Sequence, residues 1–253
     1  MRFRRVGFIF AAVVSAAALT GCTVAAAAQD DTPPVELAPA IYEMATVDNT
    51  SSDVIRSCNR GAGSGVLLSF DDDGTPEQVR AILKELRTYN AQAAFFPTGD
   101  WALKNLDLID EMQTDGHIVG NHTQTHARLS KLDATNPDEF YAEVYPLKDV
   151  ANTTPILMRP PYEDGAYNES VRNRLTEKKM QVCTWTADTY DWNGDTVEQM
   201  MQRLIVGDTY SPNPLADDGV VLLHMGSKYA DKMVGAIVEH LNVQDIKVAP
   251  LAK

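Results

Sequence analysis

From Val66 onward the chain alternates two patterns that belong to different kinds of element. Short, largely apolar runs of strand length lie at 66–70, 93–96, 118–119, 156–158, 180–186, 220–223 and 247–251. Between them apolar residues recur every three or four positions: Val79, Ile82, Leu83 and Leu86 share one helical face, as do Leu103, Leu106, Ile109 and Met112. Residues 137–150, 167–179 and 228–241 read as further helices. Thr75-Pro76-Glu77-Gln78 is a capping box with proline at the first helical position, and Thr196-Val197-Glu198-Gln199 is a second one. Strands that alternate with helices are joined by crossovers, so they lie parallel and are covered by helices. This is an α/β pattern, suited to a barrel or a doubly wound sheet. Residues 61–65 (GAGSG) precede a strand instead of following one, so they do not form a phosphate loop, and they lack the spacing of a nucleophile elbow.

At 253 residues the chain is long enough for one large domain, or two small ones, with a proper core. Apolar residues make up 44% and charged residues 23%, the balance of a folded globule. The net charge of −13 argues against nucleic acid as a partner and suits a neutral or cationic substrate.

The amino end follows a different logic. Arg2, Arg4 and Arg5 precede an apolar stretch over 6–19, too short for a stable membrane span. It runs into Leu19-Thr20-Gly21-Cys22, which resembles a bacterial lipobox; a plain secretion signal is the alternative. The expected organisation is a lipoprotein signal peptide over 1–21, a lipid-anchored tether and lead-in over 22–60, and a folded domain over 61–253. A chain anchored through Cys22 would sit outside the cytoplasm on the cell membrane. Two further cysteines, Cys58 and Cys183, could pair after export or remain buried thiols, and spacing does not decide between these.

Polar residues follow strand after strand: Asp71-Asp72-Asp73 after the first, Asn121-His122-Thr123-Gln124-Thr125-His126 after the third, Arg159-Pro160-Pro161-Tyr162 after the fourth, Asp188-Thr189-Tyr190-Asp191-Trp192 after the fifth, and His224 after the sixth. In parallel α/β folds these carboxyl ends share one face, where active sites are built. His122 and His126 are four apart, and two imidazoles with one carboxylate make a hydrolytic metal set with open positions. A cation would also account for carboxylates gathered together. His117 and His240 have plainer readings, one leading a strand and one on the last helix.

These stretches in order (SFDDDG, GHIVGNHTQTH, RPPY, DTYDW and LLH) make the chain similar to the NodB-type polysaccharide deacetylases, carbohydrate esterase family four, over roughly residues 64–250. The resemblance implies a deformed, incomplete (β/α) barrel. It implies a hydrolase that removes N-acetyl groups from an N-acetylglucosamine-containing polysaccharide, either peptidoglycan or a chitin-like polymer. One divalent metal is implied, Zn2+ first, with Co2+, Ni2+ or Mn2+ as alternatives, held by His122, His126 and one aspartate. Another aspartate would be the general base, oriented by Arg159. The Tyr162 backbone N–H would hold the oxyanion, and His224 would protonate the leaving amine with Asp191 beside it. Asp188 is the alternative partner for Arg159 or His224. Trp192 and Leu222 would wall the substrate groove. A monomer is expected. Other outcomes of the same resemblance are an O-deacetylase of acetylxylan or another glycan, and a catalytically inactive carbohydrate-binding homologue.

The family motif has two aspartates before its glycine, whereas this chain has three. If the strand sets the register, Asp71 is the base and Asp72 the ligand; if Gly74 sets it, the pair is Asp72 and Asp73. A one-residue slip would turn every upstream side chain to the opposite face, which favours Asp71 and Asp72. Glu163-Asp164 after RPPY and Met225 after His224 depart from the family pattern in positions expected to touch substrate.

Overall fold

The structure is a computed structural model in which Cys58 and residues 65–153, 156–209 and 211–251 are described. All of them fall within Ala40–Lys253, one of the two units into which the chain divides.

Seven strands and eight α-helices make up the described fold. Strands β1 (Leu67–Asp71), β2 (Ala93–Phe96), β3 (Ile118–Val119), β6 (Ala187–Asp188) and β7 (Val220–His224) form one parallel sheet in the order β3-β2-β1-β7-β6. Strands β4 (Ile156–Met158) and β5 (Met180–Val182) form a second parallel pair. A parallel bridge between Asn121 and Met158 joins the two sheets. The result is an α/β fold whose parallel strands do not close into a barrel among the described residues.

Side-chain alternation along the larger sheet feeds two of the three hydrophobic clusters among the described residues. Leu68 and Phe70 of β1, Phe95 of β2 and Leu223 of β7 face a helix-covered layer. That layer takes the buried stripe Val79, Ile82, Leu83 and Leu86 of α1 (Pro76–Thr88) and the inner face of α8 (Ala230–Val243). Leu67, Ala94, Phe96 and Val220 point the other way, into an interior shared with Cys58, Leu157 and Cys183. Each large apolar side chain buried this way contributes roughly 1.5–3 kcal/mol. Both capping boxes form, at Thr75 before α1 and at Thr196 before α7 (Val197–Val206).

Several expected boundaries shift. The stripe from Leu103 to Met112 breaks into α2 (Gly99–Ala102) and α3 (Leu106–Thr114), and both Leu103 and Leu106 are about half exposed. Residues 137–150 divide at Tyr145, because Pro146 has no N–H to continue α5 (Pro137–Val144) and a 3-10 turn follows. Helix α4 (Leu129–Thr135) has a single buried residue, Leu129, too few to leave a periodic signal. The segment 167–179 contracts to α6 (Glu169–Glu177), and the run 180–186 ends as a strand at Val182. The last expected strand is reduced to bridge residues at Val248, which pairs with Val66, and at Leu251.

Candidate active site

Period-two alternation along β1 puts Leu67, Ser69 and Asp71 on the interior face. Phe70 faces the opposite layer and stacks on Phe95 with ring centroids 5.1 Å apart. The interior therefore grades from apolar at the amino ends of the strands to charged at their carboxyl ends. There Asp71 and His224 are register partners on adjacent strands. Asp72 leaves the strand at φ +66° and turns to the histidines, while Asp73 is exposed and accepts a hydrogen bond from Thr98 Oγ1 at 2.6 Å. Trp101 Nε1 donates to the Gly74 carbonyl at 2.6 Å, so the turn after β1 is tied to α2 at two points.

Asp72, His122 and His126 are the one group among the described residues with ligand atoms placed to hold a metal ion. Asp72 Oδ1 lies 3.0 Å from His122 Nε2 and 3.0 Å from His126 Nε2. That oxygen is buried without a hydrogen-bond partner. His122 Nδ1 lies 2.6 Å from the Arg159 carbonyl, which only accepts, so Nδ1 carries the proton and a neutral ring aims its Nε2 lone pair at Asp72. Lone pairs that converge with no hydrogen between them fit a cation. Were the rings protonated instead, burial would raise the Asp72 carboxyl, but hydrogen bonds from His122 and His126 and the charges of His122 and His224 would outweigh it and hold it well below the usual carboxylate range.

Arg159 is fully buried, and its Nη1 donates to Asp71 Oδ1 at 2.7 Å and to Ser69 Oγ at 2.9 Å. Ser69 Oγ in turn donates to the Val221 carbonyl at 2.7 Å. On the other side, His224 Nδ1 lies 2.7 Å from Asp191 Oδ1, and Asp191 Oδ2 accepts the His224 backbone N–H at 2.9 Å. Burial alone would lower the His224 pKa, but its bond to Asp191 and the charges of Asp191, Asp71 and Asp72 raise it to about 9. The ring is therefore protonated at neutral pH, as a proton donor needs to be. Asp188 forms neither of the pairings open to it from sequence: its Oδ1 accepts the Tyr190 N–H at 2.8 Å, and burial pushes its carboxyl up to about 6.

Asp71, Asp72, His122, His126, Asp188 and His224 line one cavity of about 680 Å³. Its walls include Leu222 and Trp192, the latter 62% exposed, together with Trp185 and Tyr162. Tyr162 packs its ring 4.7 Å from that of His126. Asp72, His126, Tyr162, Glu163 and Tyr190 all have positive φ, a left-handed backbone that is uncommon outside glycine and that clusters at functional sites. Of the residues that set this geometry, Ser69, Trp185 and Asn121 carry no obvious chemical signal in the sequence. Asn121 Oδ1 accepts the Thr123 N–H at 2.8 Å and shapes the turn between the two histidines. Only its place in GNHTQTH hinted at a role. Cys58 and Cys183 are disulfide-bonded, whereas Cys22 and residues 1–57 lie outside the described residues.

Comparison with known proteins points the same way. The polysaccharide deacetylase family model matches residues 59–183. A peptidoglycan-N-acetylglucosamine deacetylase of Bacillus cereus is 31% identical over 144 residues, 55% of this chain and 50% of the relative. The peptidoglycan-N-acetylmuramic acid deacetylase PdaC of Bacillus subtilis is 25% identical over 192 residues, 74% of this chain and 38% of the relative. The chain thus spans half or less of the length of these relatives. In three dimensions it is similar to the crystal structure of the Bc1960 peptidoglycan N-acetylglucosamine deacetylase, with a TM-score of 0.63, 24% identity, and coverage of 79% of this chain and 91% of that one. The fold, the order of the strand-end motifs and the family match agree, and residues 59–183 of the chain match the polysaccharide deacetylase family.

Proposed function

We propose that this protein is a metal-dependent hydrolase that removes N-acetyl groups from an N-acetylglucosamine-containing polysaccharide, with peptidoglycan as the substrate. The observation that carries this reading is the meeting, in one cavity, of the Asp72, His122 and His126 donor set with the Asp71 and His224 ends of two acid–base pairs. One pair is Asp71 with Arg159, and the other is His224 with Asp191. The donor set suits Zn2+, with Co2+, Ni2+ or Mn2+ able to take the same ligands. When bound, the cation polarises the acetyl carbonyl and makes water a better nucleophile at neutral pH.

Asp71 serves as the general base that takes the proton of the attacking water, and the Arg159 fork aims its carboxylate. Water adds to the acetyl carbon, and the Tyr162 backbone N–H donates to the oxygen that gains charge. The C–N bond then breaks, acetate departs, and His224 gives its proton to the nitrogen that becomes the free amine. Asp191 holds His224 in the tautomer and charge state this step needs. Trp192 and Leu222 offer apolar surface to the sugar ring and the acetyl methyl.

We extend the proposal to location and assembly: a lipid anchor at Cys22 on the outer face of the cell membrane, and a monomer. Leu19-Thr20-Gly21-Cys22 supports the anchor, and such an enzyme meets cell wall first.

The test is acetate release by the metal-loaded protein from peptidoglycan, chitin oligomers and acetylxylan in parallel. Asp71→Asn, Asp72→Asn and Asp73→Asn are run alongside, with bound metal counted for each. Acetate from peptidoglycan, lost with metal kept in Asp71→Asn and lost with the metal in Asp72→Asn, is the expected result. Release only from acetylxylan would make the protein an O-deacetylase. No acetate and no bound metal would make it an inactive carbohydrate-binding homologue.

A further inference from the structure

The guanidinium of Arg159 is closed in on every side by this chain. Nη1 is taken by Asp71 and Ser69, and Nε points to the Cys183 carbonyl at 3.4 Å. The faces of the group meet Phe96, 4.1 Å from its ring centroid, and Trp185 at 5.7 Å. Among the described residues Nη2 faces sulfur, with Cys183 Sγ at 3.5 Å and Cys58 Sγ at 3.6 Å. Both cysteines and Arg159 are fully buried, and Asp71 is 3% exposed. The disulfide is thus the floor on which the arginine rests.

Arg159 touches the site at two further points. Its side chain holds Asp71, and its backbone carbonyl accepts the Nδ1 proton of His122, which orients the other nitrogen of that ring. Whatever displaces Arg159 displaces both. Bonded sulfurs stand about 2 Å apart, whereas two separate thiols need roughly 1.5 Å more. An interior packed like an organic crystal has no free volume to absorb that change, and the polar groups against the pair are Nη2 and the Thr184 carbonyl, the latter 3.3 Å from Cys58 Sγ.

We infer that the Cys58–Cys183 disulfide is a positioning element of the active site: it seats Arg159, and through Arg159 it aims Asp71 and orients His122. It does more than staple the lead-in segment to the domain. Full turnover then requires the oxidised pair, which ties activity to a compartment where disulfides persist. The inference rests on the deacetylase reading, in which Asp71 is the base and His122 a ligand.

The experiment compares two pairs of substitutions in the metal-loaded protein. Cys58→Ser with Cys183→Ser mimics separated thiols, and Cys58→Ala with Cys183→Val fills the space with apolar groups. Metal content, melting temperature, KM and kcat for acetate release are measured for each. The expected result, in variants that stay folded and hold metal, is a kcat lowered roughly tenfold to a hundredfold with KM within about twofold. Adding either pair to Arg159→Lys, where the fork is already lost, is expected to lower kcat little further. A kcat within about twofold of the parent in a folded, metal-holding variant would overturn the inference and leave the disulfide a staple. So would losses that multiply fully with Arg159→Lys. A second readout needs no variant and no activity, namely nitrogen-15 resonances of the Arg159 guanidinium in the native protein. Separate, slowly exchanging Nη protons are expected, and a single rotationally averaged signal would overturn the inference. If the parent releases no acetate, the proposed function fails, and this spectrum still decides whether the arginine is held.

Discussion

Two histidines flank the same two-residue strand, and they meet opposite fates. His117 precedes β3 and His122 follows it. Both are buried, at 1% and 2% exposure, so burial alone does not separate them. His117 lies at the amino ends of the strands, against Phe95. Its Nδ1 accepts the Ala93 N–H at 3.2 Å, and its Nε2 has no partner among the described residues. Burial drives its pKa down to about 4, with Asp115 raising it and Arg87 lowering it by smaller amounts. His122, at the carboxyl ends, has its Nδ1 proton fixed by the Arg159 carbonyl and its Nε2 facing a carboxylate. One ring is kept neutral by apolar packing, while the other is turned by polar neighbours so that its Nε2 faces a carboxylate. Which end of a parallel strand a residue occupies decides its chemistry more than its type does.

The comparison can be broken most severely at the upper end. Asp72→Asn and His122→Ala are each expected to lose stoichiometric metal and to lower kcat/KM roughly a thousandfold or more, read by metal analysis and acetate release. Retention of both metal and activity would remove the contrast. His224→Ala is expected to lower kcat by roughly a hundredfold to ten-thousandfold with metal retained, as loss of a proton donor requires.

Asp191→Asn tests the electrostatics of the upper end. In the proposed role His224 must be protonated to act, so activity is expected to fall as pH rises through its pKa of about 9. Without Asp191, burial is left to pull that pKa down, and the basic limb of the kcat profile is expected to move to lower pH by about one to three units. An unmoved limb would assign that limb to another group.

The smallest effect on activity, and a definite effect on stability, is expected at the lower end. The unfolded chain takes up the His117 proton near 6.5, and the folded chain only near 4. The unfolded state thus binds more protons in between, so stability is full above about pH 6.5 and declines as pH falls toward 4. The complete loss is on the order of 3 kcal/mol. His117→Asn, whose Oδ1 can still accept the Ala93 N–H, is expected to remove that slope in urea denaturation across pH 4.5–7.5. Acetate release at neutral pH is expected to stay unchanged, and a loss of activity there would undo the contrast between the two ends.

The α/β class was legible because strand and helix periods differ and every major element buries its own apolar stripe. The helix at 75–88 is the clearest case: its cap, its first-turn proline and its four apolar positions all form as the sequence predicts. The stripe at 103–112 misled, because Leu103 and Leu106 have helical spacing and yet face solvent. Periodicity reports that a helix can form, not which residues a neighbour will cover. The site was legible as types in order, since five strands ending in reactive groups is a pattern of composition at spacing.

What the sequence by itself determined is therefore local: the alternation of elements, the capping boxes, the strand ends that carry aspartate, histidine and arginine, and the family these motifs resemble. Tertiary structure decided the pairings. It placed Asp71 against Arg159, Asp72 between two imidazoles, Asp191 in place of Asp188 beside His224, and the Cys58–Cys183 bond beneath them all. The physical reason is the same in each case. Three adjacent aspartates have nearly the same intrinsic chemistry, and only the pleat of β1, with Phe70 committed to the helix-covered core, determines which carboxylate turns inward, which meets the histidines and which is left to solvent.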